Sequence, residues 1–161
     1  MDLKLGYNPA REAIECFAAK ETQMIGDIND IHSELTKLTD DLAQLQQLLS
    51  HLSNATDDSN RVDWRNDPEK MAIVDAIREN EDTSHLFETG TYEWKGEKLT
   101  QLTERVNQHI NRFISPTIQQ KMTEITQKQY ETNEIVEIVA TMVKEANQSI
   151  RHINSNIQRA H

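Results

Sequence analysis

The apolar residues of the first third of the chain recur at alternating intervals of three and four positions. The unbroken run is Ile28, Ile31, Leu35, Leu38, Leu42, Leu45, Leu49 and Leu52. This spacing puts the side chains on one narrow stripe of an α-helix, which is typical of a coiled-coil seam. Asn8 followed by Pro9 is a helix-start signal, because Asn caps the first turn and proline needs no donor there. We therefore predict a first coiled-coil helix over residues 8–55.

A second helical pattern begins at Glu97 and fills the rest of the chain. It opens with Leu99, Leu102, Val106, Ile110 and Ile114, then continues in heptad register as Ile118, Met122, Ile125, Gln129, Thr132, Val136, Val139, Val143, Ala146, Ile150, Ile153, Ile157 and Ala160. The two registers join only through a phase shift, and Pro116 lies at the junction. We predict a C-terminal coiled-coil helix over residues 97–160 with a kink or local break at Pro116. Gln129 and Thr132 either specify register or mark a section that emerges from the bundle.

The segment between these helices, residues 57–96, is polar and carries shorter signals. Asp67 and Pro68 repeat the cap-plus-proline pattern, which predicts a short helix to about Glu79. Further on, two short apolar segments flank the turn residues Thr89 and Gly90. They are Leu86-Phe87 and Tyr92-Glu93-Trp94, and they predict a small β-hairpin.

These elements predict a mainly α fold, with two long antiparallel coiled-coil helices and a small helix-plus-hairpin insert in one elongated domain over residues 1–161. Because each seam needs a complementary one, we expect contacts between the two mid-helix groups Leu35, Leu38, Leu42, Leu45 and Val136, Val139, Val143. Residues 1–56 carry nine acidic and four basic side chains, whereas residues 98–161 carry six and eight. The two helices are therefore electrostatically suited to pair.

Composition limits the classes of partner. The net charge of −10 argues against a nucleic acid as the main ligand. Stretches of about 18 apolar residues are lacking, so we expect no stable membrane insertion. The first residues lack the basic patch and apolar run of a Sec signal peptide, so any export should follow a Sec-independent route.

The side chains that usually carry chemistry do not form a recognisable pattern. None of the histidines forms an i, i+4 metal-binding pair; they are His32, His51, His85, His109, His152 and His161. Cys16 is the only cysteine, which excludes an intrachain disulfide and is typical of a core or interface thiol. Glycine-rich phosphate loops are missing. We therefore expect a non-enzymatic protein without catalytic, cofactor-binding or metal-binding residues.

Residues 91–160 resemble the C-terminal part of the hydrophilic translocators of type III secretion systems, the needle-tip and filament proteins that include V-antigen relatives. The similar features are Thr91-Tyr92-Glu93-Trp94, Glu97-x-Leu99-x-x-Leu102, Gln120-x-Met122, Asn133-Glu134 and the tail Ser149-Ile150-x-x-Ile153-x-x-Asn156-Ile157. The resemblance implies a central coiled coil whose C-terminal helix docks on the needle or on neighbouring subunits. The chain departs from the family in being short, without an N-terminal self-chaperoning hairpin.

The function that the resemblance implies is that of a structural and interaction protein of a type III secretion apparatus. It would be secreted or displayed at the bacterial surface, with needle or other apparatus subunits, or further copies of itself, as partners. By rise alone the second helix outruns the first, so an apolar strip near its end should lack cover. We assign partner binding to Ile150, Ile153, Asn156 and Ile157. The alternative is a cytoplasmic coiled-coil adaptor or secretion chaperone.

Overall fold

The computed structural model describes residues 9–55 and 58–160, and it is mainly helical with one small two-stranded sheet. In chain order the elements are α1 (Pro9–Ala55), β1 (Arg61–Asp63), α2 (Pro68–Glu79), a 3₁₀ turn (Ser84–Leu86), β2 (Glu93–Lys95), α3 (Glu97–His109), a π-helix (Ile110–Ile114) and α4 (Ser115–Arg159). The chain divides into two compact units. We call Ser33–Met122 the insert unit, and Met1–His32 with Thr123–His161 the terminal unit.

The helices begin at the residues where the sequence signals predict them to begin. The side chain of Asp67 accepts a hydrogen bond from the backbone N–H of Lys70 at 3.2 Å, and Pro68 opens α2, so the predicted short helix is confirmed. The first long helix begins at Pro9; its predicted cap, Asn8, lies outside the described residues. The last long helical segment begins at Glu97, directly after Gly96, whose φ of 55° is one that glycine adopts without strain.

The predicted β-hairpin is wrong in its strand partner. Strand β2 pairs antiparallel with β1, so that Val62 lies opposite Trp94, while Ser84–Leu86 forms a 3₁₀ turn. Leu86 and Phe87 are consecutive and both buried, whereas a strand on a core would alternate inward and outward side chains. Val62 and Trp94 instead share the inward face of the two-stranded sheet.

The insert unit has a dense apolar core that draws on every one of its elements. Trp64 and Trp94 meet edge to face with ring centroids 5.6 Å apart, and Phe87 lies 5.8 Å from Trp94. The buried members are Leu45, Leu48, Leu52, Val62, Trp64, Val74, Ile77, Leu86, Phe87, Trp94, Leu99, Leu102, Val106, Ile110 and Ile114. The C-terminal half of α1 is therefore packed against the insert and α3.

The predicted contacts between the two mid-helix groups stay a prediction. Leu42 and Leu45 belong to the insert-unit core, with Ile114 and Ile118 among their companions from the second helical pattern. Heptad spacing defines which face of a helix is apolar, but it does not define which residues of two helices lie level. The insert returns the chain at Glu97, and α3 packs against this part of α1.

A π-helix, Ile110–Ile114, lies immediately before Pro116, where the sequence predicts a break. The N–H of Ser115 donates to the carbonyl of Ile110, a five-residue step that accommodates one extra residue. Proline has no backbone N–H to donate, so the helix loses little when the regular hydrogen bonds just before it are replaced by the longer steps of a π-helix. The side chains of Leu102, Val106, Ile110 and Ile114, which are spaced four residues apart, thereby all stay on the buried side of the helix. The extra residue of the π-helix produces the phase shift between the two registers.

The terminal unit buries fewer apolar side chains than the insert unit. Its buried apolar side chains, among described residues, are Met24, Ile31, Ile125 and Ile135. An ion pair at 3.3 Å joins Lys128 Nζ to Asp27 Oδ2. Of the two polar seam residues, Gln129 is exposed and Thr132 is half-buried, its hydroxyl donating to the Lys128 carbonyl. Gln129 therefore does not lie on the buried side of α4.

Candidate interaction surface

Helix α4 carries two apolar lines on adjacent faces, and only one of them is covered. The covered line repeats at intervals of three and four; its members are Ile125, Lys128, Thr132, Ile135, Val139, Met142 and Ala146, all buried or half-buried. Ile125 and Ile135 are the most deeply buried, with 7% and 6% of their surface exposed. This line is rotated by about one residue from the seam predicted from the sequence, which has Met122, Gln129, Val136 and Val143 in the corresponding places.

The uncovered line is large and regular. We call it the exposed stripe, and it consists of Val136, Val143, Ile150, Ile153 and Ile157, which are 43%, 41%, 55%, 58% and 54% exposed. Four of these residues are spaced seven apart, which is nearly two helical turns, so they share a face of α4. Ile153 lies between Ile150 and Ile157 on that face. A contiguous strip of branched aliphatic side chains in water usually marks a partner site.

The residues assigned to partner binding from the sequence lie on or beside this stripe. Ile150, Ile153 and Ile157 belong to it, and Asn156 is exposed next to Ile157. Val136 and Val143 also belong to it, although the sequence analysis gave them to the internal seam. Their seven-residue spacing from Ile150 and Ile157 was a signal for the longer stripe. The spacing alone did not show which of the two lines is buried.

The charge along α4 changes sign within the stripe. Residues 131–146 carry four glutamates and one lysine, whereas residues 147–160 carry Arg151 and Arg159 and no acidic side chain. All residues from 147 to 160 are exposed. Near the acidic end, the hydroxyl of Tyr130 is hydrogen-bonded to Glu134, which raises the pKa of that tyrosine. The stripe thus has an acidic half and a basic half.

The structure brings together a pair of histidines that the sequence did not predict. The rings of His85, in the 3₁₀ turn, and His109, at the end of α3, have centroids 5.0 Å apart. Burial and, after it, the neighbouring His85 lower the pKa of His109. Within residues 9–55 and 58–160 no three or more His, Cys, Asp or Glu side chains are arranged to hold a metal ion. The pair packs the 3₁₀ turn against α3.

A charged network covers the outer side of the small sheet. Arg65 donates to Asp63 and holds the pKa of that carboxyl well below its usual range, while the pKa of Arg65 is raised. Arg61 bridges to Glu93 across the strands at 2.8 Å. These side chains are substantially exposed, so their pairing orients the strands more than it stabilises them.

Cys16 is exposed, so its expected placement in the core is wrong and an interface role for its thiol stays a prediction. In the described part of the chain, no helix combines the length and the apolar character needed to cross a bilayer. Comparison with models of known protein families, with curated proteins and with solved structures found no match to this chain.

Proposed function

We propose that this protein is a structural and interaction subunit of a bacterial type III secretion apparatus, of the needle-tip or filament-like hydrophilic translocator kind. It binds other subunits through the exposed stripe of α4. The observation that carries this proposal is the stripe itself, because five branched aliphatic residues remain uncovered on a helix that already buries a separate apolar line. The order of elements, a long helix, a small compact insert and a long C-terminal helix, supports the family assignment.

The proposal includes the pairing of α1 with the C-terminal helix as an antiparallel coiled coil. Within the terminal unit, Asp27 pairs with Lys128 at 3.3 Å. Within the insert unit, Glu34 pairs with Lys121 at 2.6 Å. The step from Asp27 to Glu34 is seven residues forward, and the step from Lys128 to Lys121 is seven residues back. Opposite directions of travel with equal steps support an antiparallel register.

This register accounts for the exposed end of α4. Counting back from the pair of Asp27 and Lys128, Pro9 at the start of α1 lies level with residue 146. The residues of α4 beyond that level, 147–159, outrun the described part of α1. Burying one isoleucine side chain contributes about 1.5–3 kcal/mol, so the three isoleucines of this end form an adequate docking strip for a partner helix.

The test is a double substitution, Ile153→Asp with Ile157→Asp. We expect the variant to stay folded, because both side chains are more than half exposed. It should lose binding to the purified needle subunit of the same secretion system. Gln148→Asp with Ser155→Asp is the matched control, since it adds the same charge to the opposite face of the same exposed helix.

Secretion provides the second readout. We expect the unsubstituted protein to appear in the medium of secreting bacteria with its N-terminus unprocessed. Normal needle binding by the double variant would overturn the role of the stripe. Retention of the unsubstituted protein inside the cell, bound to a client, would replace the proposed function with that of an adaptor or secretion chaperone.

A further inference from the structure

We propose that the exposed stripe binds a second copy of this chain, with the two α4 helices antiparallel and crossing near Gln148. This inference rests on the proposed function, because it names the partner of the same surface. It adds a defined geometry: a closed two-fold dimer in which each stripe covers the other.

The heptad positions of the stripe are self-complementary in this orientation. Taking Val136 as the first core position, the a positions are Val136, Val143, Ile150 and Ile157, and the d positions are Val139, Ala146, Ile153 and Ala160. In an antiparallel pair, each a residue packs in a layer with a d residue of the other helix. One register, centred on Gln148, places Val143 level with Ile153, Ala146 level with Ile150, and Val139 level with Ile157. Val139 and Ala146 are half-buried on the covered line, so the isoleucines level with them contact the stripe residues Val136 and Val143 beside that line. The same pairs recur on both sides of the centre.

Charge favours the antiparallel orientation over the parallel one. A parallel pair would place the acidic residues 131–146 beside their own copies and Arg151 and Arg159 beside theirs. In the antiparallel register, Arg151 lies level with Glu145 of the second copy and Arg159 lies level with Glu137. These charges lie on the outer sides of the two helices, so the acidic half of one copy runs beside the basic half of the other at the same level, which sets orientation more than affinity.

The flanks of the stripe allow two helices to approach closely. The e positions are Ala140, Asn147 and Asn154, and the g positions are Met142, Ser149 and Asn156. None of these side chains is charged, so like charges do not meet at the edge of the seam. Asn156, assigned to partner binding from the sequence, takes a position at this edge, where its amide is able to hydrogen-bond across the interface.

A two-fold pairing closes on itself. The same surface is used on both copies, so the dimer leaves no stripe free for a third copy. Filament growth would then require some other surface of the protein. The geometry therefore predicts a discrete dimer at concentrations where the stripe is occupied.

Disulfide trapping tests the orientation. In a Cys16→Ser background, which removes the native exposed thiol, one sample carries Val143→Cys and a second, of different tag mass, carries Ile153→Cys. We expect a mixed disulfide between the two proteins on oxidation. Residues 143 and 153 are about 15 Å apart along a helix, beyond the reach of a disulfide. Each variant alone should therefore stay largely uncrosslinked, and strong linkage of Ile153→Cys to itself would overturn the antiparallel model.

Sedimentation over a range of concentrations tests whether the partner of the exposed stripe is a second copy of this chain. We expect a monomer–dimer equilibrium whose dissociation constant rises at least about a hundredfold in Ile153→Asp with Ile157→Asp. It should change by less than about threefold in the control Gln148→Asp with Ser155→Asp. A strictly monomeric protein that still binds the needle subunit through the stripe would overturn the dimer and leave the proposed function standing. Loss of neither interaction in the double variant would overturn both.

Discussion

The two units of this protein differ in how deeply they bury apolar side chains. In the insert unit fifteen buried residues from helices, strands and turns form one cluster, and Leu45 and Leu102 are fully inaccessible. In the terminal unit four described apolar residues are buried, on one line per helix. A core enclosed from several directions stabilises a fold, whereas a helix packed along one line keeps other faces free. The insert unit is thus the more deeply packed of the two, and the terminal unit presents the exposed stripe through which we propose assembly.

The largest effect is expected for Trp94→Ala. Trp94 is 5% exposed and contacts Trp64 and Phe87, so its removal leaves a cavity that these rings fill only in part. We expect a loss of about 3–5 kcal/mol in the free energy of unfolding, measured by urea titration. Tyr130→Ala removes an aromatic ring that is 66% exposed in the terminal unit and should cost no more than about 0.5 kcal/mol. Equal losses in the free energy of unfolding for Trp94→Ala and Tyr130→Ala would contradict this contrast between the units.

A smaller effect is expected for Ile135→Ala in the terminal unit. Ile135 is 6% exposed but lies on a single buried line close to solvent, where neighbours relax into the space more easily. We expect a loss near the low end of the range for such truncations, about 2 kcal/mol.

The adjacent residue supplies the control. Val136 is 43% exposed, so Val136→Ala should change monomer stability by no more than about 0.5 kcal/mol. Both substitutions should be measured in the Ile153→Asp, Ile157→Asp background, so that self-association does not contribute. A larger cost for Val136→Ala than for Ile135→Ala would mean that the buried and exposed lines of α4 are exchanged.

The smallest effect concerns pH. Burial and His85 lower the pKa of His109 below its ordinary value of 6.5, against the opposing influence of Asp41 and Asp82. The unfolded chain therefore binds the proton more strongly, and this part of the stability is complete above pH 6.5 and falls as pH drops toward the lowered pKa. We expect the urea midpoint of the native protein to fall more between about pH 8 and about pH 5.5 than that of His109→Gln. His152→Gln, on the exposed tail, should behave like the native protein.

Local signals in the sequence were sufficient for the helices. Asp67 and Pro68 start α2 because a side-chain acceptor and a fixed φ act within one turn, and neither needs a distant partner. The mismatch of register around Pro116 likewise indicated a break that takes the form of a π-helix. Periodicity also identified Ile150, Ile153 and Ile157 as an apolar face. These features depend on residues a few positions apart, so they can be read along the chain.

Distant contacts were decided only by the tertiary structure. The strand partner of Trp94 lies more than thirty residues away at Val62, and His85 meets His109 only because the 3₁₀ turn packs on α3. The covered face of α4 runs through Ile135 rather than Val136, one residue and about 100° away, because two adjacent apolar lines compete for the same cover. The sequence by itself determined that α4 has an apolar face to offer. Which face stays exposed was decided by the packing of the whole helix, because packing free energy is summed over many residues and is not set by any single one of them.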